Sequence, residues 1–112
     1  MASKMHLLVA LGSLAGGAIV SHDVSADPLI AEGRSLIVTY CADCHAVDPT
    51  GDSPHPAAPP FRDLHARYDV ELLGEALVEG LVTGHPDMPE FEFDPAQAEA
   101  IISYLKSLDA DP

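Results

Sequence analysis

Cations are scarce in this chain. Five Lys and Arg stand against eighteen Asp and Glu in 112 residues, for a net charge of −13. Nucleic acid and anionic membrane surfaces would both be repelled by that field, so neither fits as a partner. A basic or neutral protein surface fits better, with association that weakens as salt rises. Tryptophan is absent and phenylalanine occurs three times, so aromatic side chains supply little of the core. Cys41 and Cys44 are the only cysteines, which argues against a zinc site built on thiolates. No strand-rich stretch surrounds them, which argues against a thioredoxin-like dithiol in a βαβ unit. The apolar, Gly-rich run from Leu7 to Val20 spans 14 residues, short of the roughly 20 that cross a bilayer.

That run has another reading. Met1 to Lys4 carries one positive charge, the apolar run follows, and the chain turns polar at Ser21-His22-Asp23 before Val24-Ser25-Ala26. This order predicts a secretory signal peptide over residues 1–26, cleaved after Ala26. The competing reading is an uncleaved membrane anchor. Cleavage leaves one domain, residues 27–112, with no stable membrane insertion. Lys4 and Asp23 cancel, so the domain keeps the charge of −13. A chain of that size is short for an independent core and would gain from a buried prosthetic group.

What is present centres on Cys41-Ala42-Asp43-Cys44-His45. C-x-x-C-H is the attachment signature of a c-type haem. Two thiols spaced by two residues on one helical turn can add to the two vinyl groups of one porphyrin. His45 then lies where it can offer an imidazole nitrogen to the iron. A redox dithiol and a chance match are the other readings of the same residues.

The flanking segments read as helices and loops. Asp27-Pro28 opens a helix, with an acidic cap and proline at its first position. Leu29, Gly33, Leu36, Ile37 and Tyr40 follow at helical spacing, up to Cys41. Prolines 49, 54, 56, 59 and 60, with Gly51, make residues 46–68 a loop. The Pro59 carbonyl is a candidate to orient His45. Arg62 and Arg67 are candidates to pair with haem propionates, or are simply solvated. His55 and His65 are expected to face solvent. Asp69 caps a second helix whose apolar face is Val70, Leu73, Leu77 and Leu81, ended by Gly80 and Gly84.

Met88, in His85-Pro86-Asp87-Met88-Pro89, is the one methionine after residue 26. A thioether is a soft, uncharged ligand that raises a haem's reduction potential. Flanking prolines stiffen the loop that would hold it. The plainer reading is a core filler, and His85 is the alternative ligand. Asp94-Pro95-Ala96-Gln97 opens a third helix with a capping box. Ala98, Ile101, Leu105 and Leu108 mark its buried face, with Tyr104 beside them.

The sequence of helix, C-x-x-C-H, proline loop, helix, Met loop and helix resembles the class I c-type cytochromes, the family of mitochondrial cytochrome c and small bacterial monohaem relatives. The residues that carry the resemblance are 41–45, Gly84 to Phe91, and Ile102 to Leu108. The resemblance implies an all-α fold, with three main helices and loops wrapped around one covalently bound haem c. It implies terminal helices that cross at Gly33, Ile37 and Tyr104. It implies cofactor binding by Cys41, Cys44, His45, Pro59, Arg67 and Met88, with His45 and Met88 as the iron ligands. It further implies a bacterial periplasmic electron carrier, monomeric, with no enzymatic reaction of its own and with redox proteins as donor and acceptor. The alternatives are an electron-transfer subunit of a periplasmic dehydrogenase and a ligand-binding or peroxidase-like haem protein. Mitochondrial members surround the haem edge with lysines. Here Lys106 is the one lysine after residue 26, so their docking rules do not carry over.

Overall fold

The structure is a computed structural model that describes residues 10, 12, 13, 16, 17, 27–82 and 85–109. The expected signal peptide lies almost wholly outside the described residues, and so does Gly84. Three α-helices form: α1 (Pro28–Cys41), α2 (Val70–Glu79) and α3 (Pro95–Asp109). Their starts follow the predicted caps. The Asp27 carboxylate accepts from the Leu29 N–H at 2.9 Å, and Asp69 from the Glu71 N–H at 3.0 Å. At α3 the box is reciprocal. Gln97 N–H donates to Asp94 Oδ1 at 2.7 Å, and Asp94 N–H to Gln97 Oε1 at 3.1 Å. A cap of this kind contributes about 1 kcal/mol. Gly80 ends α2 at φ +111°, a conformation that suits glycine.

The terminal helices cross at Gly33, as expected. A Cβ there would lie 1.9 Å from the Ala100 carbonyl oxygen and 3.0 Å from Tyr104 Cβ. Only a residue without a side chain admits so close an approach. Ile37, one turn on and 1% exposed, continues the seam. On α3, Ala98, Ala100, Ile101, Ile102, Tyr104 and Leu105 are buried. α2 contributes Val70 and Leu77, and packs on α3.

Two local expectations change. The segment expected to be all loop contains a short 3-10 helix, Phe61–Ala66. Pro60 precedes it, and the turn buries Phe61 and Leu64. Residues three apart lie on one face of a 3-10 helix, so one turn places both in the core. Tyr40, expected on the inner face of α1, is 47% exposed. Its ring meets Phe93 edge-on at 5.5 Å and Phe91 at 6.1 Å. Among the described residues no strand forms beyond an isolated Leu81–Phe91 bridge, and no helix is long and apolar enough to cross a membrane.

Candidate functional site

Cys41 is the last residue of α1. The chain continues as a tight turn, with the Cys44 and His45 N–H groups both donating to the Cys41 carbonyl, at 3.2 and 2.9 Å. The predicted cysteines and His45 are thereby carried on one turn at a helix end. Both thiols are free and partly buried. Burial pushes the Cys41 thiol up to about 11, with Cys44 adding to the effect. A thiol that holds its proton so firmly is a poor nucleophile for disulfide exchange.

His45 is positioned from two sides. Its Nδ1 lies 2.8 Å from the Pro59 carbonyl oxygen, the partner expected from the sequence. A carbonyl can only accept, so Nδ1 carries the proton and Nε2 keeps its lone pair. Phe61 packs on the ring, with centroids 4.6 Å apart.

The stretch after His45 is tied down residue by residue. The Cys44 carbonyl accepts from His55 N–H at 3.1 Å, and the Ala46 carbonyl from Phe61 N–H at 2.9 Å. Ala46 N–H donates to Ser53 Oγ at 3.0 Å. The Tyr104 hydroxyl donates to the Val47 carbonyl at 2.6 Å, and Arg34 meets Asp48 at 3.0 Å. Both terminal helices thus reach this loop. Burial raises the Tyr104 phenol above its usual value, the Asp48 carboxylate raises it further, and Arg34 opposes them.

Met88 occupies a separate loop. Two backbone bonds close the base of that loop: Leu81 N–H to the Phe91 carbonyl at 2.9 Å, and Phe93 N–H to the Leu77 carbonyl at 2.8 Å. Within it, Met88 N–H donates to the His85 carbonyl at 3.2 Å, and Asp87 N–H to His85 Nδ1 at 3.3 Å. Met88 is partly buried. Its loop meets the proline loop through His55 and Asp87, 3.2 Å apart.

Of the six predicted cofactor-binding residues, Cys41, Cys44, His45 and Pro59 are drawn together by these bonds. Met88 lies in a different loop, which meets the proline loop at the His55–Asp87 contact. Arg67 is exposed and closes the 3-10 helix through its backbone N–H to Leu64; its guanidinium makes no described contact with the other five. Arg62 turns to the Gly51 carbonyl at 2.6 Å. His55 was expected to face solvent and is instead partly buried and bonded. No spacing rule pairs residues 55 and 87, so sequence reasoning missed that contact. The anchors Arg34 and Tyr104 were missed as loop anchors for the same reason.

An open groove of about 430 Å³ lies elsewhere, between α2 and α3. Gly74, Val78, Ala98 and Ile102 are among its lining residues, with Glu71 and Glu75, and it includes none of the predicted site residues. Among the described residues no group of three His, Cys, Asp or Glu could hold a metal ion on side chains alone. The donor set fits a prosthetic group: two free thiols on one turn, and an imidazole whose Nε2 is left available.

The family model described as Cytochrome c matches residues 30–109. That span takes in α2, α3, all of α1 but its first two residues, the C-x-x-C-H turn and the Met88 loop. No curated protein and no solved structure matches the chain.

Proposed function

Because the chain belongs to the cytochrome c family, with a covalently bound haem c and an electron-transfer role, we propose that it is a periplasmic electron carrier with His45 and Met88 as the axial ligands. Bound haem supplies one iron that alternates between the ferric and ferrous states. Cys41 and Cys44 form the thioethers, and residues 1–26 are removed on export. Pro59 fixes the His45 ring and its tautomer, and Arg67 pairs with a propionate. Donor and acceptor are redox proteins with basic or neutral docking surfaces, matched to a charge of −13.

The observation that carries this reading is the 2.8 Å bond from His45 Nδ1–H to the Pro59 carbonyl. It leaves Nε2 as the free donor and fixes the plane of the ring. Imidazoles that bind metals commonly give their other N–H to such an acceptor, which raises their basicity. Met88 supplies a soft ligand, and a soft ligand favours ferrous iron. With His45 and Met88 both holding it, the iron would exchange electrons without binding a substrate.

Met88→Ala tests the ligand assignment. The variant should lose the weak far-red band of a methionine–ferric iron bond, show a lower reduction potential, and bind imidazole or carbon monoxide readily. An unchanged potential and spectrum would remove Met88 from the iron.

A further inference from the structure

We infer that His55 is a positioning residue that holds the Met88 loop closed over the iron. This rests on the assignment of Met88 as a ligand. The geometry specifies which proton does the work. His55 Nδ1 accepts from the Ala57 N–H at 3.1 Å, so the neutral ring carries its proton on Nε2. Nε2 faces Asp87 Oδ2 at 3.2 Å and donates to it. The carboxylate belongs to the residue immediately before Met88.

The same residue is anchored at its other end. His55 N–H donates to the carbonyl of Cys44 at 3.1 Å. A continuous path of bonds therefore runs from the C-x-x-C-H turn, through His55, to the loop that bears the sulfur. Beyond Asp87 the path continues inside that loop, where Asp87 N–H meets His85 Nδ1 at 3.3 Å. The His55 and His85 rings stand edge to face, 5.8 Å between centroids. The Cys44 end is set by the covalent attachment, so the clasp ties the weaker ligand's loop to the fixed side of the site. The imidazole of His55 is 31% exposed and Asp87 66% exposed, so the bond contributes modestly and can open.

The test is imidazole binding to the ferric holoprotein, followed together with the far-red methionine band. Opening of the Met88 loop limits access of imidazole, so its apparent affinity reports the open fraction. His55→Phe keeps an aromatic ring beside His85 and removes the donor. It should bind imidazole about fivefold more tightly, the population shift that one partly exposed hydrogen bond supports. Its far-red band should weaken, with far-UV circular dichroism and haem content unchanged. His55→Gln, whose amide nitrogen can replace Nε2, should stay close to the parent. Asp87→Ala should match His55→Phe, and the double variant should be no worse than either single one. If His55→Phe holds no haem, Asp87→Ala decides the matter, since that carboxylate stands mostly in solvent. Parent-like affinity in Asp87→Ala or His55→Phe, or additive effects in the double variant, would overturn the inference alone. If Met88→Ala also leaves the spectrum and affinity unchanged, the ligand assignment falls, and the clasp's role with it.

Discussion

The two loops that carry the proposed axial residues, His45 and Met88, are held in different ways. Residues 44–48 are fastened at nearly every position, by His55, Pro59, Ser53 and Phe61 from the proline loop, by Tyr104 from α3 and by Arg34 from α1. The Met88 loop is closed at its base by two backbone bonds, and beyond them it meets the proline loop through the exposed His55–Asp87 contact. The chemistry of the ligands explains the contrast. An imidazole next to two thioethers, as proposed for His45, would stay in place through the redox cycle, so its surroundings can share the core of the fold. A thioether from Met88 would raise the reduction potential, so that bond would set potential more than stability. Changes on the His45 side should therefore lower global stability, and changes on the Met88 side should alter iron access and potential.

The strongest challenge to that contrast is Gly33→Ala. The added Cβ would lie 1.9 Å from a backbone oxygen of α3, which cannot swing aside. Prising the terminal helices apart would also strain the Tyr104 and Arg34 anchors. We expect a loss of roughly 3 kcal/mol in chemical denaturation. A loss below about 1 kcal/mol would mean that the crossing yields more easily than this packing implies. Tyr104→Phe comes next. It leaves the buried Val47 carbonyl without its partner and should cost about 1.5 kcal/mol, with the far-red band retained. Loss of the band without loss of stability would invert the comparison.

Alkaline pH sharpens the same point. The Tyr104 phenol holds its proton more firmly in the folded chain than in the unfolded one. The stability this represents is complete below about pH 10, the unfolded value. It is lost as pH rises from there through the folded value. Tyr104→Phe should lack that part of the decline. Free thiols would add a second decline between pH 9.0 and about 11 from Cys41; thioethers have no proton to lose, so the holoprotein should not show it. Denaturation midpoints measured across this range in parent and variant check both statements. The smallest effect is expected from Arg34→Ala. Arg34 and Asp48 are each about half exposed, at 52% and 51%, and such pairs contribute about 0.5 kcal/mol or less. A larger loss, weakened by salt, would make this ion pair a principal anchor of the His45 loop.

Much of this was legible in the sequence, for identifiable reasons. Helix starts were readable because caps are local: Asp27, Asp69 and the Asp94–Gln97 box act within three residues. The cysteine turn was readable because its spacing is the geometry of one helical turn. The Pro59 carbonyl and the glycine at position 33 were readable from the residues, the family resemblance supported both, and the structure bonds Pro59 to His45 and crosses the helices at Gly33. The 3-10 helix at 61–66 was not readable, since Phe61 and Leu64 form too short a pattern to stand out among prolines. The anchors were not readable either. Tyr104 and Val47 are 57 positions apart, and His55 and Asp87 are 32 apart. Such pairs form only after the helices have packed, and neither partner carries a periodic signal. The same limit applied to Arg62, which bonds the Gly51 carbonyl across a turn.

One iron, in the function proposed, lies between the imidazole of His45 and the sulfur of Met88. The most direct test is proton NMR of the reduced holoprotein with methyl-labelled methionine. A Met88 methyl held over the porphyrin face should be displaced far upfield by the ring current, and that signal should vanish in Met88→Ala. A Met88 methyl resonating where ordinary methionines do would contradict the assignment.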